Sequence, residues 1–306
     1  MQDQGTLDWL LDSEPAIRWQ AMRDLTDASP DAVATERARI PHDGIGAKVL
    51  QLQAEHGAWH RDDEPDWLPT LVTMQLLRLT EVDPADPTVQ SAVRRLEGSF
   101  RWAEEFGAKP FSEGEVEPCI NGNALAAASY FGYPSERLAQ RLVGEQLEDG
   151  GWNCEAPKST RSSFHTTICV LEGLLEYERA TGTSPEITSA RHRAEEYLLE
   201  RVLFRRLSTG EVIDSAFLSF GFPPRYCYDV LRALEYFRTT GSTPDARMRE
   251  ATGVIESKRQ PDGRWLLDAT HNEALPFSFS EHVSEPSRWN TLRAVRVLRW
   301  YTSGHR

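Results

Sequence analysis

One short phrase recurs three times along this chain of 306 residues. It reads Gln53-Ala-Glu-His-Gly57-Ala-Trp59, then Gln146-Leu-Glu-Asp-Gly150-Gly-Trp152, then Gln260-Pro-Asp-Gly263-Arg-Trp265. Counted from its Gln, the third copy is one residue shorter, and its Gly-x-Trp end is intact. Each copy follows a stretch that reads as a helix and precedes another. A phrase repeated in a fixed helical context marks a repeat architecture. In each copy the Gln can bond a helix end, the Gly admits a positive φ, and the Trp packs the turn onto its neighbour.

A second repeat supports the first. Glu14-Pro15, Glu64-Pro65, Glu117-Pro118 and Glu285-Pro286 each open an apolar stretch of helical period. Proline suits the first helical position, and an acid there suits the helix dipole. Two further starts, Ser163-Phe164-His165 and Pro223-Pro224-Arg225, fill the slots between them. The spacing therefore predicts six inner helices starting near Pro15, Pro65, Pro118, Ser163, Pro224 and Pro286. More polar helices between them, such as 135–146 and 246–258, would form an outer ring. This pattern reads as an all-α, six-hairpin α/α toroid. We expect a single domain over residues 1–306, with residues 1–45 as N-terminal helices that close the ring.

No Pro/Gly/Ser linker or low-complexity run divides the chain. Its formal charge of -13 excludes the broad basic face that nucleic-acid binding needs. No apolar run reaches transmembrane length. The first residues lack a basic region followed by an apolar one, so we expect no signal peptide and a cytoplasmic protein. In that setting the four cysteines are thiols or metal ligands rather than disulfides.

Gly-x-Trp turns between paired helices resemble the repeats of squalene-hopene cyclases and protein prenyltransferase β subunits, both of which are α/α toroids. The resemblance spans roughly Gln51 to Trp300. The stretch Pro118-Cys119-Ile-Asn-Gly-Asn, then Asp149-Gly-Gly-Trp152-Asn-Cys154, then Phe164-His165, is most similar to the β subunits. It implies a zinc site in which Cys119 matches the zinc cysteine and His165 the zinc histidine, with Glu117 in the aspartate place. The chain as a whole resembles bacterial squalene-cyclase-like proteins, a likeness that implies a fold and no particular reaction. Protonation-initiated cyclases carry Asp-x-Asp-Asp before a Thr. Here Asp66-Trp67-Leu68-Pro69-Thr70 keeps only the first Asp, so a carboxylic acid flanked by carboxylates cannot be built there. The Asp-rich metal-diphosphate motif of ionisation-type cyclases is missing too.

The residues themselves also point to zinc. Cys119 and His165 sit in the first turns of successive inner helices, Cys154 follows the second Gly-Gly-Trp turn, and Cys227 opens the next helix. Soft ligands converging from distant places in the chain are what zinc requires. Taken singly, each Cys also reads as a small core residue. We expect one zinc on Cys119, Cys154 and His165, with Cys227 as a fourth ligand that would close the site. Glu117 reads as a helix-start residue, because Glu-Pro opens three other helices. Cys169 reads as a buried thiol.

Six parallel helix starts would present positive dipole ends at one rim, near Arg18, Arg225 and Arg288. Aromatic residues there, Trp67, Tyr226 and Trp289 among them, suit the wall of a central cavity for a hydrophobic, isoprenoid-type small molecule. The same residues could instead pack helix ends. Asp229 is the nearest carboxylate and also reads as a first-turn acid. Three functions stay open on these residues: a prenyl-transfer or terpenoid-type enzyme, a binding protein, and an interaction module whose zinc only staples helices. The second subunit that prenyltransferases use is not part of this chain, which leaves a protein partner open.

Overall fold

The computed structural model describes residues 4–304. The expectations that touch residues 1–3 and 305–306 lie outside the described residues. Among these, thirteen α-helices carry the fold. They are α1 (Gln4–Leu11), α2 (Pro15–Leu25), α3 (Pro30–Arg37), α4 (Gly44–Gln51), α5 (Trp67–Leu79), α6 (Pro87–Ser99) and α7 (Pro118–Tyr130). There follow α8 (Glu136–Gly144), α9 (Phe164–Thr181), α10 (Pro185–Glu200), α11 (Val230–Thr239), α12 (Arg249–Ser257) and α13 (Arg288–Ser303). The described residues are thus mostly helical, with short 3-10 turns, a two-residue ladder of Trp265–Leu266 against Pro286–Ser287, and three isolated bridges. Among the described residues, no helix is long and apolar enough to cross a membrane.

Burial separates two kinds of helix. Every residue of α5 from Leu68 to Leu77 is buried, as is every residue of α7 from Asn121 to Ser129 and of α11 from Val230 to Phe237. Helices covered on all sides are interior. By contrast, α6, α8 and α12 bury one stripe each, such as Leu138, Ala139 and Leu142 in α8. The interior helices touch in sequence. Helix α5 packs on α7, α7 on α9, and α11 on α13, while α13 returns to α2. The Arg232 guanidinium of α11 grips Glu172 of α9 at 2.7 Å. The Trp19 indole of α2 donates to the Thr80 carbonyl just past α5. Helices α7 and α9 approach closest, because a Cβ on Gly122 would lie 2.5 Å from the Cys169 carbonyl and one on Gly173 2.5 Å from that of Gly122.

The three turns share the same bonds at their Trp. Each Trp indole donates to the carbonyl ten residues earlier: Trp59 to Val49, Trp152 to Leu142 and Trp265 to Ile255, at 2.6 to 2.8 Å. Each Trp backbone N–H donates to a threonine hydroxyl one turn into the next inner helix: Thr70, Thr167 and Thr291. The Gln53 and Gln146 amides reach both their own Gly carbonyl and the neighbouring outer helix, at Ala92 and Ala190. The third turn corrects the sequence reading. Its backbone has the same length as the others, since Gln260 N–H bonds the Arg264 carbonyl as Ala54 bonds Ala58 and Leu147 bonds Gly151. Gln260 therefore holds the Ala54 place, and Arg259 holds the Gln53 place, its guanidinium over the Trp265 ring.

Five inner helices begin at or within two residues of the expected positions, near Pro15, Pro65, Pro118, Ser163 and Pro286. One start differs. Helix α11 begins at Val230, where the Asp229 carboxylate accepts from the Arg232 N–H, and not at Pro224. Helix α13 begins at Arg288, because Ser287 caps the Asn290 N–H while Pro286 pairs in the short ladder. The freed segment 222–228 runs across the middle of the inner helices. The Arg225 carbonyl accepts from the Gln75 amide at 2.7 Å, and Cys169 donates to the Tyr226 carbonyl.

Candidate metal centre and its cavity

The first turns of α5, α7 and α9 line one cavity of about 380 Å³. Trp67, Leu71 and Ile120 form its apolar wall, Arg225 and Tyr226 cover it, and Glu117, Cys119 and Cys154 stand on its polar side. The ligand atoms of these last three all lie within 4.8 Å of one another. The Cys119 thiol is 3.7 Å from the Glu117 carboxylate. The Cys154 sulfur lies 3.4 Å from the Thr166 hydroxyl. The close approach of α7 to α9 makes this meeting possible. It sets the start of α7 against the loop that enters α9.

The two thiols lie side by side, with their sulfurs within 4.8 Å. That contact holds the Cys154 thiol below its usual range, and it holds Cys119 well above, with burial adding to the rise. The first proton therefore leaves Cys154. Two sulfurs and one carboxylate oxygen form a donor set suited to zinc. At a Zn–S bond of about 2.3 Å the edge of a ligand tetrahedron is about 3.8 Å, against 3.7 Å between Cys119 and Glu117 here.

The structure thus brings together Cys119 and Cys154, as expected, and adds Glu117. Glu117 occupies the N-cap place of α7 without a capping bond, so the helix-start reading does not account for its side chain. The triad does not include His165 or Cys227. His165 lines the same cavity, but its Nδ1 accepts the Tyr228 N–H at 2.9 Å. An acceptor at Nδ1 places the ring proton on Nε2, which blocks that nitrogen as a ligand. Burial also depresses the His165 pKa, which keeps the ring neutral. Cys227 does not line this cavity, and its carbonyl accepts from Arg232 at 2.7 Å. Among the described residues, the ligand atoms that lie together are therefore those of Glu117, Cys119 and Cys154. Cys169 is fully buried among Asn123, Arg232 and the Tyr226 carbonyl, and burial pushes its thiol up to about 11.

The expected ligand residues divide. Trp67, Arg225 and Tyr226 line this cavity. Trp289 stacks on Phe222 at 4.5 Å and faces a different cavity, at the far side of segment 222–228. Arg288 and Arg18 both bond carbonyls of residues 9–13 and pack the α1–α2 turn. Asp229 caps α11 with its carboxylate buried. Sequence spacing could not show that a loop would divide the centre in two.

Asp66, at the place of the cyclase acid, is bonded by His60 at 2.6 Å and by His56 at 3.1 Å. Burial would raise its pKa, but the two imidazoles outweigh this and hold it below the usual range. A carboxyl kept ionised is the reverse of a proton donor to an alkene.

No protein-family model matches this chain, and no curated protein sequence does. Among solved structures it is similar to a protein from Actinoplanes, at a TM-score of 0.50 and 14% identity over 98% of each chain. The type II terpene cyclase MstE from Scytonema is similar at 0.46 and 14% identity, over 98% of this chain and 86% of that one. A variant of MstE in complex with merosterolic acid A aligns at 0.46 and 15%, over 95% and 87%. At such identities the likeness to the Actinoplanes protein bears on the fold alone, and the two weaker ones carry no argument.

Proposed function

We propose that the chain is a single α/α toroid of the prenyltransferase and terpenoid-cyclase type that binds a hydrophobic small molecule beside a zinc ion. The ion would be held by Glu117, Cys119 and Cys154. One observation carries this reading: two thiols and a carboxylate meet on the wall of an otherwise apolar cavity. The cavity volume lies within the range of small-molecule sites, about 300–1,000 Å³. Zinc with three protein ligands keeps a fourth position open, where it would activate a thiol or a water. The chain's own groups would do the rest. Trp67, Leu71 and Ile120 would seat an apolar tail. Arg225 and the uncapped first-turn N–H groups of α5 and α7 would favour an anionic head. Thiolate ligands need a reducing compartment, so we retain the cytoplasmic expectation.

The test titrates farnesyl diphosphate into the zinc-loaded chain and follows tryptophan fluorescence. A saturable change that disappears in Trp67→Phe and weakens in Arg225→Ala is the expected result. No saturable change below the solubility limit would reject the ligand. A second reading would then stand, in which zinc staples the start of α7 to the loop after Trp152. It is favoured by the placement of the ligands on two separate segments. Under it, chelation lowers Tm although nothing binds.

A further inference from the structure

The opposite ends of the same helices enclose a second cavity, of about 630 Å³. Last-turn residues of α5, α7, α9 and α11 line it, including Arg78, Ser129, Arg179 and Arg238, and α13 supplies Trp289, Arg293 and Arg296. Seven arginines and four glutamates face this space. Net charge alone does not decide what it holds, because the carbonyl ends of the helices offset part of the cationic excess. The decisive point is which groups lack partners. Six of the arginines have a carboxylate within 4.0 Å, as in Arg78–Glu172, Arg179–Glu176 and Arg296–Asp24. Arg293 has none among the described residues. It is 6% exposed and bonds only the Gly221 carbonyl and the Asn290 amide oxygen, both neutral. In the same cavity, the buried Ser129 hydroxyl and the Arg78 Nε have no hydrogen-bond partner among the described residues.

Asp229 and Glu235 offset its charge only from beyond 4.0 Å, and a buried guanidinium without a hydrogen-bonded carboxylate is costly, so native proteins pair or ligate such groups. Guanidinium forks match planar or tetrahedral oxyanions, which accept two bonds at once. The stacked Phe222–Trp289 pair adds an aromatic wall one helical turn before Arg293. We propose that this cavity is a binding site for a small molecule bearing a phosphate or carboxylate group, with Arg293 as the buried counter-charge and Arg78 and Ser129 as further donors. It is separate from the metal end, from which segment 222–228 divides it, and it does not depend on the function proposed above.

The experiment follows thermal unfolding of the full chain while inorganic pyrophosphate or succinate is added, with sodium chloride holding ionic strength constant. A saturable rise in Tm of about 4 °C or more with one of the two is expected, a size typical of ligand at a hundred times its Kd. The responding probe tells phosphate from carboxylate. Cys119→Ala should respond like the native chain, which separates the effect from any anion at the metal end. Arg293→Met should lose at least tenfold in affinity, on the order of the loss of one charge-assisted pair. If that variant does not fold, Arg179→Gln at the exposed mouth decides, with a severalfold loss. No saturable rise with either probe overturns the proposal. So does an undiminished response in Arg293→Met, or in Arg179→Gln where that variant decides.

Discussion

Glu117 precedes a proline at a helix start and yet does not cap the helix. Its carboxylate instead turns to Cys119 at 3.7 Å. The first prediction belongs to this residue. Elemental analysis of protein never exposed to chelator should find about one zinc per chain. Cys119→Ala and Cys154→Ala should lose it, and Glu117→Gln should bind it more weakly. Cys227→Ala and Cys169→Ala should keep it. Metal retained in Cys119→Ala would sink the triad. A second prediction concerns His60. Its hydrogen bond to Asp66 raises its pKa above the ordinary 6.5. The contact contributes fully below that value and is lost as pH rises through the folded pKa. From the acid side, Asp66 is depressed, so its part is present above its ordinary 3.8 and is lost as pH falls below it. The pair is therefore at its strongest between these two ordinary values. An NMR titration should place His60 above 6.5, and Asp66→Asn should bring it back; a pKa unmoved by that change would contradict the pairing.

At the scale of elements, the Gly-x-Trp turn is a small machine for joining an outer helix to the next inner one. The indole holds the helix just ended, and the Trp N–H holds a threonine of the helix about to begin. Thr167→Val should leave the buried Trp152 N–H without an acceptor and cost about 1–3 kcal/mol in urea unfolding. Gly57→Ala should cost at least about 1 kcal/mol. It forces a side chain onto a φ of +85° and places Cβ 2.5 Å from the Arg95 carbonyl. A neutral result for both variants would mean that the turns do not hold the hairpins together. The recurrence of these turns was plain in the sequence because each bond needs one residue type at one offset. The frame of the third copy was not, because Gln260 lies one place late and only the backbone bonds show that Arg259 has taken over. The start of α11 was misplaced for a similar reason. Pro223-Pro224 looks like a helix opening, but Asp229 supplies the cap and the prolines belong to a crossing segment.

For the whole molecule, the interior is held by packing and by ion pairs between helices far apart in sequence. Glu172 of α9 meets Arg78 of α5 and Arg232 of α11. Burial would raise its pKa, but these two guanidinium groups outweigh it and hold the carboxyl below the usual 4.5. Glu235 is likewise raised by burial and lowered more by Arg238 and Arg296. Depressed acids contribute stability that is present above their unfolded pKa and lost as pH falls through the folded one. Thermal unfolding should therefore show Tm falling below pH 4.5. Glu172→Gln should cost about 3–5 kcal/mol at neutral pH, because two buried arginines lose their shared partner. A change of less than about 1 kcal/mol would show that the network is screened by water.

Periodicity, Glu-Pro at helix starts, and the repeated turn determined the helical class and five of the six inner-helix starts. These are local preferences, expressed within one or two turns of chain. The same reading found Cys119 and Cys154, because both sit at positions the repeat defines. It could not tell a ligand from a cap at Glu117, nor foresee that a Tyr228 N–H would occupy His165 Nδ1. It also could not show that segment 222–228 divides the interior into an apolar end with thiols and a charged end where Arg293 has no carboxylate within 4.0 Å among the described residues. Those outcomes depend on distances between residues 46 to 150 positions apart, such as Asn123–Cys169 and Gln75–Arg225. Such distances arise only when the inner helices pack together, so the tertiary structure alone decided them.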